Sequence, residues 1–263
     1  MKLGLKGKRA VILAASRGLG YASALGLAEE GCDLIICSRS QERADEAAAK
    51  IREQTGANVT AVSADVSQKA DIEAVVTACI EAYGGLEIAV HNAGGPPAGG
   101  FNTTSDAAWN KAFEQNLMSF VWFSRAAVPH MKEAGYGRIL TIASSSIKQP
   151  IPNLILSNAM RTGILGTAKT MSQELAKDNI LVNVVSPGTI ATERITELYE
   201  ANAAKTGKSV DEIAKAGVAA IPMGRLGRPE EFANMVVFLA SEAASYITGS
   251  VMMVDGGVVR ALQ

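Results

Sequence analysis

The sequence predicts an α/β fold: a single doubly wound domain with a seven-stranded parallel sheet and helices on both of its faces. Short apolar runs alternate with longer helical patterns along all 263 residues. Such alternation implies parallel strands joined by right-handed crossovers. The strands are apolar throughout, as expected when both faces of a sheet are covered. A glycine-rich turn also joins the first strand to the first helix.

The predicted elements follow one another without a repeat or a low-complexity segment. Apolar runs predict strands over 9–15, 33–38, 58–66, 87–95, 137–145, 180–188 and 249–257. Helical patterns cover 19–31, 41–56, 69–83, 106–134, 154–178 and 229–240. Only 189–228 breaks this rhythm. It is long, mostly helical and follows a strand end, which is typical of a functional lid. We therefore expect one domain over 1–263, with this segment as its lid.

Composition excludes several classes of function. The formal net charge is −1, and no long basic run suggests nucleic acid or a membrane surface as a partner. No apolar stretch is long enough for a membrane span, and the N-terminal apolar run is too short for a signal peptide. The chain has three cysteines without metal-binding spacing and two histidines, so we expect reduced thiols, no metal site and a cytoplasmic protein.

The stretch AASRGLG, residues 14–20, lies between the first predicted strand and its helix. Glycines at this point let main-chain N–H groups and the helix dipole approach a pyrophosphate. Gly18 and Gly20 supply two of them. The alternative is an ordinary tight turn, but the position within a βαβ unit favours dinucleotide binding.

The end of the second strand indicates which dinucleotide is bound. NAD-binding proteins usually place an acidic residue there to hold the ribose hydroxyls. This chain has Ser38 and Arg39 instead, and Arg17 lies in the glycine turn. Two guanidinium groups suit a 2′-phosphate, which favours NADP(H) over NAD(H). The alternative is that both arginines are solvated surface residues. Asp65 is placed to accept from an adenine amino group, or to cap the next helix.

Six further motifs match one known family. They are HNAGG (91–95), NLMSF (116–120), TIASS (141–145), NVVSPGTIAT (183–192), GRLGRPEE (224–231) and ITGSVMMVDGG (247–257). With the glycine turn, they make the chain resemble the short-chain dehydrogenase/reductase family, and within it the 3-oxoacyl-ACP-reductase-like group. The resemblance spans nearly the whole chain. It implies a Rossmann fold, a nicotinamide cofactor, a small carbonyl or alcohol substrate and a homotetramer, with a dimer as the alternative.

The resemblance and the two arginines together imply a set of cofactor contacts. These are Ala14, Ser16, Arg17, Gly18, Leu19, Gly20, Ser38, Arg39, Asp65, Val66, Asn92, Ala93, Gly94, Arg161, Pro187, Gly188, Ile190 and Thr192. One departure lies in this set, because Leu13 and Ala14 replace the Thr-Gly that opens the family motif. A methyl group at Ala14 crowds a turn that can demand a positive φ, so we expect weaker or shifted cofactor binding without its loss.

The stretch SNAMR, residues 157–161, departs from the family at its catalytic positions. The family pattern has a serine, a tyrosine thirteen residues later and a lysine four residues beyond. Counting from Ser144 gives Ser157 and then Arg161. A serine hydroxyl is a far weaker acid than a phenol, and an arginine stays protonated and cannot relay a proton. With Asn116, the family's helix-four asparagine, these residues form the predicted catalytic set.

The two replacements leave three functions open. The first is an NADP(H)-dependent oxidoreductase with a modified proton relay, in which Lys148 or Tyr199 are alternative donors. The second is a cofactor-binding protein without redox activity that serves as a sensor or partner subunit. The third is a non-redox lyase or isomerase in which Arg161 binds an anionic group. The sequence favours the first and leaves the substrate undetermined.

Overall fold

The computed structural model describes residues 2–262 and contains one parallel sheet. The strands are β1 (Arg9–Ile12), β2 (Asp33–Ser38), β3 (Val59–Ser63), β4 (Ile88–His91), β5 (Gly137–Ile142), β6 (Ile180–Pro187) and β7 (Val251–Val254). They lie in the order β3-β2-β1-β4-β5-β6-β7. Every neighbouring pair is parallel. The predicted seven-stranded parallel sheet is confirmed.

Helices cover both faces of the sheet. They are α1 (Gly18–Glu29), α2 (Gln41–Thr55), α3 (Lys69–Tyr83), α4 (Asp106–Ala112), α5 (Ser119–Ala134), α6 (Ile155–Leu175), α7 (Glu193–Thr206), α8 (Val210–Ala219) and α9 (Pro229–Ala240). One apolar core lies between the sheet and α1, α2 and α9. A second lies between the opposite face and α3, α5 and α6. Burial of apolar surface in these two layers is the main stabilising contribution to the fold.

The long helix predicted over 106–134 is interrupted. A π-helical turn, Phe113–Met118, separates α4 from α5. A single π turn widens the helix locally and is often found at functional sites. The helical pattern over 106–134 gave no indication of it. The buried Asn116 lies inside it.

The predicted lid contains two helices. α7 and α8 cover most of 189–228 and pack against each other. Polar contacts tie α7 to the carboxyl edge of the sheet: the Arg194 Nη2 lies 3.3 Å from the Pro96 oxygen, and the Lys205 Nζ lies 3.3 Å from the Asn153 Oδ1. This segment therefore lies over the loops that follow β4 and β5, and its role as a lid stays a prediction.

Two properties of the described chain bear on its chemistry. Within residues 2–262, no helix is both long and apolar enough to cross a bilayer. Cys32, Cys37 and Cys79 are free and buried. Burial raises their pKa values to about 12, 11 and 12 respectively, so these thiols are unreactive at neutral pH.

Candidate active site at the carboxyl edge of the sheet

The glycine turn after β1 is held in a strained shape. Ala14 has a φ of 48°, in the left-handed region that favours glycine. Its carbonyl oxygen accepts a hydrogen bond of 3.0 Å from the Asn92 Nδ2, which joins the turn to the end of β4. A Cβ atom at Gly20 would lie 2.6 Å from that same oxygen. The predicted demand for a positive φ at Ala14 is thus found, and the loop tolerates the methyl group.

The turn leads into an uncapped helix start. α1 begins at Gly18, and no side chain caps it at Arg17. The first turn of a helix leaves its N–H groups without acceptors inside the helix, and the helix dipole favours an anion there. A Cβ atom at Gly18 would meet only the Thr192 side chain, at 3.8 Å. These features fit the pyrophosphate of a dinucleotide, with Ser16 and Leu19 on either side of the turn.

The two arginines predicted to flank a 2′-phosphate differ in position. Arg39 is exposed after the end of β2. Nearby, the Ser16 and Ser38 hydroxyl oxygens lie 3.1 Å apart. Arg17 pairs with Glu193 and Glu197 of α7. The acidic first half of α7 therefore holds Arg17, and joint contact of the two guanidinium groups with a 2′-phosphate stays a prediction.

Asp65 follows β3 and shapes its own loop. Its Oδ1 accepts hydrogen bonds from the Ser67 N–H at 2.9 Å and from the Ser67 hydroxyl at 2.8 Å. α3 starts only at Lys69, with Gln68 in the capping position. The alternative that Asp65 caps this helix is therefore wrong. The buried Val66 supports the same loop, and contact with adenine stays a prediction.

The loops after β4 and β6 form the other end of the crevice. Ala93 is buried, and the Gly94 oxygen accepts a hydrogen bond of 3.0 Å from the Gln115 Nε2. After β6, the Gly188 N–H donates to the Val254 oxygen at 2.9 Å. A Cβ atom at Gly188 would lie 2.6 Å from the Asp255 Cα, so only glycine fits there. The segment from Pro187 through Ile190 to Thr192 then leads directly into α7.

Three serines lie close together between the loop after β5 and the first turn of α6. The Ser144 hydroxyl accepts from the Ser146 N–H at 3.2 Å. The Ser146 and Ser157 hydroxyl oxygens lie 3.4 Å apart, and both residues are buried. The side chain of Asn158 fixes the first turn of α6 through two hydrogen bonds to Ile151, of 3.0 and 3.1 Å. Ser146 therefore links Ser144 to Ser157, through its N–H on one side and its hydroxyl on the other, and the sequence did not single it out.

Arg161 lies deep below this cluster. It is 5% exposed. Its Nη1 donates to the Ile142 oxygen, and its Nη2 lies 3.4 Å from the Ala93 oxygen. In the described part of the chain its Nε has no partner. Burial lowers the pKa of Arg161 to about 10, so the guanidinium stays charged at neutral pH. The guanidinium is thus directed to the ends of β4 and β5, and its contact with the cofactor stays a prediction.

His91 is part of the same buried layer. One ring nitrogen lies 2.9 Å from the Thr141 hydroxyl oxygen, and the other lies 2.8 Å from that of Ser119. Burial and, secondarily, the charge of Arg161 lower the pKa of His91 to about 3, so the ring is neutral. The register of β4 and β5 places His91 beside Thr141, and the ring is packed within the core rather than available as an acid.

Asn116 supports the site from the π-helical turn. It is fully buried, and its Nδ2 donates to the Ala112 oxygen at 3.3 Å. Among residues 2–262, its Oδ1 has no hydrogen-bond partner. A buried amide oxygen without a donor is costly unless water or a ligand satisfies it. Asn116 therefore contributes both to the helix bend and to the polarity of the site.

The alternative proton donors lie apart from the serine cluster. The hydroxyl of Tyr199 is buried, and a Cβ atom at Gly217 of α8 would lie 2.8 Å from it. Burial raises the pKa of Tyr199. Tyr136 precedes β5 at the opposite edge of the sheet, where its hydroxyl donates to the Ala240 oxygen at 2.9 Å. Lys148 is half-buried in the loop after β5. No described contact joins any of them to Ser144 or Ser157.

The fold and this crevice define a class of dinucleotide-binding α/β proteins, and sequence comparison defines the family. A family model described as enoyl-(acyl carrier protein) reductase matches residues 13–259. Dehydrogenase/reductase SDR family member 4 of Bos taurus is 34% identical over 254 residues, which cover 96% of this chain and 88% of the relative. The short chain dehydrogenase/reductase astE of Aspergillus oryzae is 33% identical over 260 residues, which cover 98% of this chain and 97% of the relative.

Solved structures give the same result. The L-sorbose reductase of Gluconobacter frateurii, complexed with NADPH and L-sorbose, superimposes with a TM-score of 0.95 at 34% identity, covering 100% of both chains. YwfH, an NADPH dependent reductase involved in bacilysin biosynthesis, gives a TM-score of 0.93 at 29% identity, covering 98% of this chain and 100% of that one. The chain belongs to the short-chain dehydrogenase/reductase family of oxidoreductases.

Proposed function

We propose that the chain is an NADP(H)-dependent oxidoreductase that acts on a small carbonyl or alcohol through an atypical proton relay. Two structural neighbours are described as an NADPH complex and as an NADPH dependent reductase. The observation that carries the proposal is the combination of a complete dinucleotide crevice with Ser157 and Arg161 at the tyrosine and lysine positions of the family.

The cofactor end of the crevice fits NADP(H). The uncapped start of α1 offers main-chain N–H groups to a pyrophosphate. β2 ends at Ser38, followed by Arg39, so no carboxylate there repels a 2′-phosphate. Arg17 would contribute to the binding of this phosphate once its guanidinium leaves Glu193. When bound, NADPH supplies the hydride, and the segment from Pro187 to Thr192 is placed to hold the carboxamide.

The substrate end holds hydroxyl groups in place of a phenol. We assign Ser144 to orient the substrate carbonyl. Ser157, paired with Ser146, holds a hydroxyl group close by but cannot ionise near neutral pH. The proton then comes from solvent through this hydroxyl cluster. Loss of a positioned acid or base typically lowers a rate by about 10²–10⁴-fold, so turnover should be slow.

Arg161 has a positioning role in this proposal. Its donors are used by the Ala93 and Ile142 oxygens, which fixes the ends of β4 and β5 beneath the nicotinamide position. The guanidinium still gives the pocket a positive potential, which stabilises charge that develops on the substrate oxygen. It does not relay protons, because it stays protonated.

Titration and turnover test the proposal together. The protein is titrated with NADPH and NADH by fluorescence, and a panel of ketones, ketoses including L-sorbose and β-ketoacyl thioesters is then screened for NADPH consumption. We expect tighter binding of NADPH than of NADH and slow consumption with at least one carbonyl. Binding without consumption on any carbonyl would contradict redox function and favour a sensor or partner subunit.

A double variant tests the assignment of the relay. Ser157→Tyr with Arg161→Lys restores the family pair in the same register on α6. We expect reduction of the active carbonyl to accelerate by about 10-fold or more, because a phenol with a lowered pKa is the better acid. Ser157→Tyr alone is the matched control. If only the double variant reduces carbonyls, the natural chain is not a reductase.

A second candidate function follows from the charge of Arg161. A buried guanidinium whose Nε has no partner within residues 2–262 keeps one donor for a carboxylate or phosphate. A lyase or isomerase could use such a site without redox change. Product formation with no change in nicotinamide absorbance would establish this candidate instead.

Assembly and location complete the proposal. We propose a homotetramer in which α4, α5 and α6 form one contact between subunits, as the family resemblance implies, and a cytoplasmic location. Gel filtration with light scattering is expected to give four times the chain mass of 27.4 kDa. A monomer would contradict the tetramer.

A further inference from the structure

The ion pairs of Arg17 connect the glycine turn to the lid. The guanidinium of Arg17 contacts the Glu193 carboxylate, and its Nη2 lies 3.7 Å from the Glu197 Oε1. Both carboxylates belong to the first half of α7. All three side chains are substantially exposed, at 56%, 68% and 46% respectively. These contacts are therefore reached by solvent and can exchange partners.

The pairs lie next to the glycine turn that is proposed to bind the dinucleotide. Thr192 immediately precedes α7, and its methyl group lies 3.8 Å from the Cβ position of Gly18 at the start of α1. The start of the lid thus faces the same N–H groups that suit a pyrophosphate. Arg17 immediately precedes Gly18, and its guanidinium joins the start of α1 to the first half of α7.

We propose that Glu193 and Glu197 determine the selectivity between NADPH and NADH by competing for Arg17. This inference rests on the proposed binding of NADP(H). Without cofactor, the two carboxylates hold the guanidinium against α7. A 2′-phosphate offers Arg17 a more highly charged, bidentate partner and displaces them. NADH has no phosphate at this position, so release of Arg17 from the two carboxylates does not raise the affinity for NADH.

The competition weakens NADPH binding in two ways. Arg17 is available only in the fraction of molecules in which the pairs are open, and apparent affinity falls by that fraction. The carboxylates also lie within a Debye length of the incoming phosphate at moderate ionic strength, so they repel it. Both effects depend on the charge of the 2′-phosphate, so they lower the affinity for NADPH and leave that for NADH unchanged.

A pair of neutral variants tests this competition by binding rather than by turnover. We expect Glu193→Gln with Glu197→Gln to lower the dissociation constant for NADPH by roughly three- to tenfold, as partly exposed charges of this kind would give. The constant for NADH should change by less than about twofold. Glu200→Gln, an exposed acid of the same helix, is the control and should change neither.

Two further measurements separate competition from a general effect on the lid. Adding Arg17→Ala to the double variant should cancel the gain in NADPH affinity, and raising the salt from 50 to 500 mM should shrink it, because exposed pairs are screened. Equal gains for NADPH and NADH, or no gain, would overturn the inference. If natural chain and variants alike, shown folded by circular dichroism, bind neither dinucleotide, the proposed function itself fails.

Discussion

Arg17 and Arg161 lie at opposite ends of one crevice and have opposite surroundings. The Arg17 side chain is 56% exposed and pairs with two carboxylates. Arg161 is 5% exposed and donates to two main-chain oxygens. Exposed ion pairs contribute little stability and exchange readily, whereas removal of a buried charged donor leaves its partners unsatisfied. The adenosine end of the crevice can therefore respond to a ligand, while the nicotinamide end is preset.

His91 also belongs to the preset end of the crevice. Its protonation should have the largest effect on the free energy of unfolding. The native pKa is about 3, and an unfolded histidine has its ordinary pKa near 6.5. Between these values the unfolded state binds more protons, so stability falls as the pH decreases. Relative to His91→Asn, the natural chain should lose about 1.4 kcal/mol per pH unit below pH 6.

Denaturant unfolding from pH 7 to pH 4.5 measures this difference. Protonation of carboxylates with lowered pKa values, such as Glu231, also lowers the free energy of unfolding in acid. It does so equally in both proteins, so the difference between the two curves isolates the histidine. Parallel curves would show that His91 is not buried in neutral form.

Removal of each guanidinium compares the two ends directly. Arg161→Met leaves the Ile142 and Ala93 oxygens without a donor, so we expect the free energy of unfolding to fall by about 2 kcal/mol. Arg17→Met removes exposed pairs and should change it by less than about 0.5 kcal/mol. Urea unfolding at pH 7 provides both values. Equal losses would contradict the contrast between the two ends.

Ala14 offers a smaller test at the glycine turn. Its φ of 48° strains any residue with a side chain. Ala14→Gly should therefore raise the melting temperature and the free energy of unfolding, the latter by about 1 kcal/mol. The neighbouring Ala15, buried and without a positive φ, is the control. Ala15→Gly should destabilise by about 0.5–1 kcal/mol, and stabilisation there would exclude relief of strain as the cause.

The sequence predicted the strands well because their apolar runs are continuous, but it extended several of them too far. The apolar run over 9–15 continues past Ile12, where β1 ends, into the glycine turn. Residues of that turn are apolar without being part of a strand. The π-helical turn around Asn116 was not predicted, since a single wider turn leaves the segment helical on both sides.

For the site, the sequence predicted which positions along the chain come together, but not the directions of the side chains. Counting along the chain placed Ser157 and Arg161 on one helix face. The reach of Arg161 to the Ile142 and Ala93 oxygens depends on the spacing of β4 and β5, which no local pattern encodes. The pairing of Arg17 with Glu193 joins residues 176 positions apart and was missed for the same reason.

The pH dependence of kcat for NADPH-driven carbonyl reduction tests the central claim most directly. Neither a serine hydroxyl nor the Arg161 guanidinium, with its pKa of about 10, titrates between pH 6 and 9. A slow kcat that is flat across this range is the predicted result. A kcat that follows an ionisation within it, or no NADPH consumption at any pH, would contradict the account.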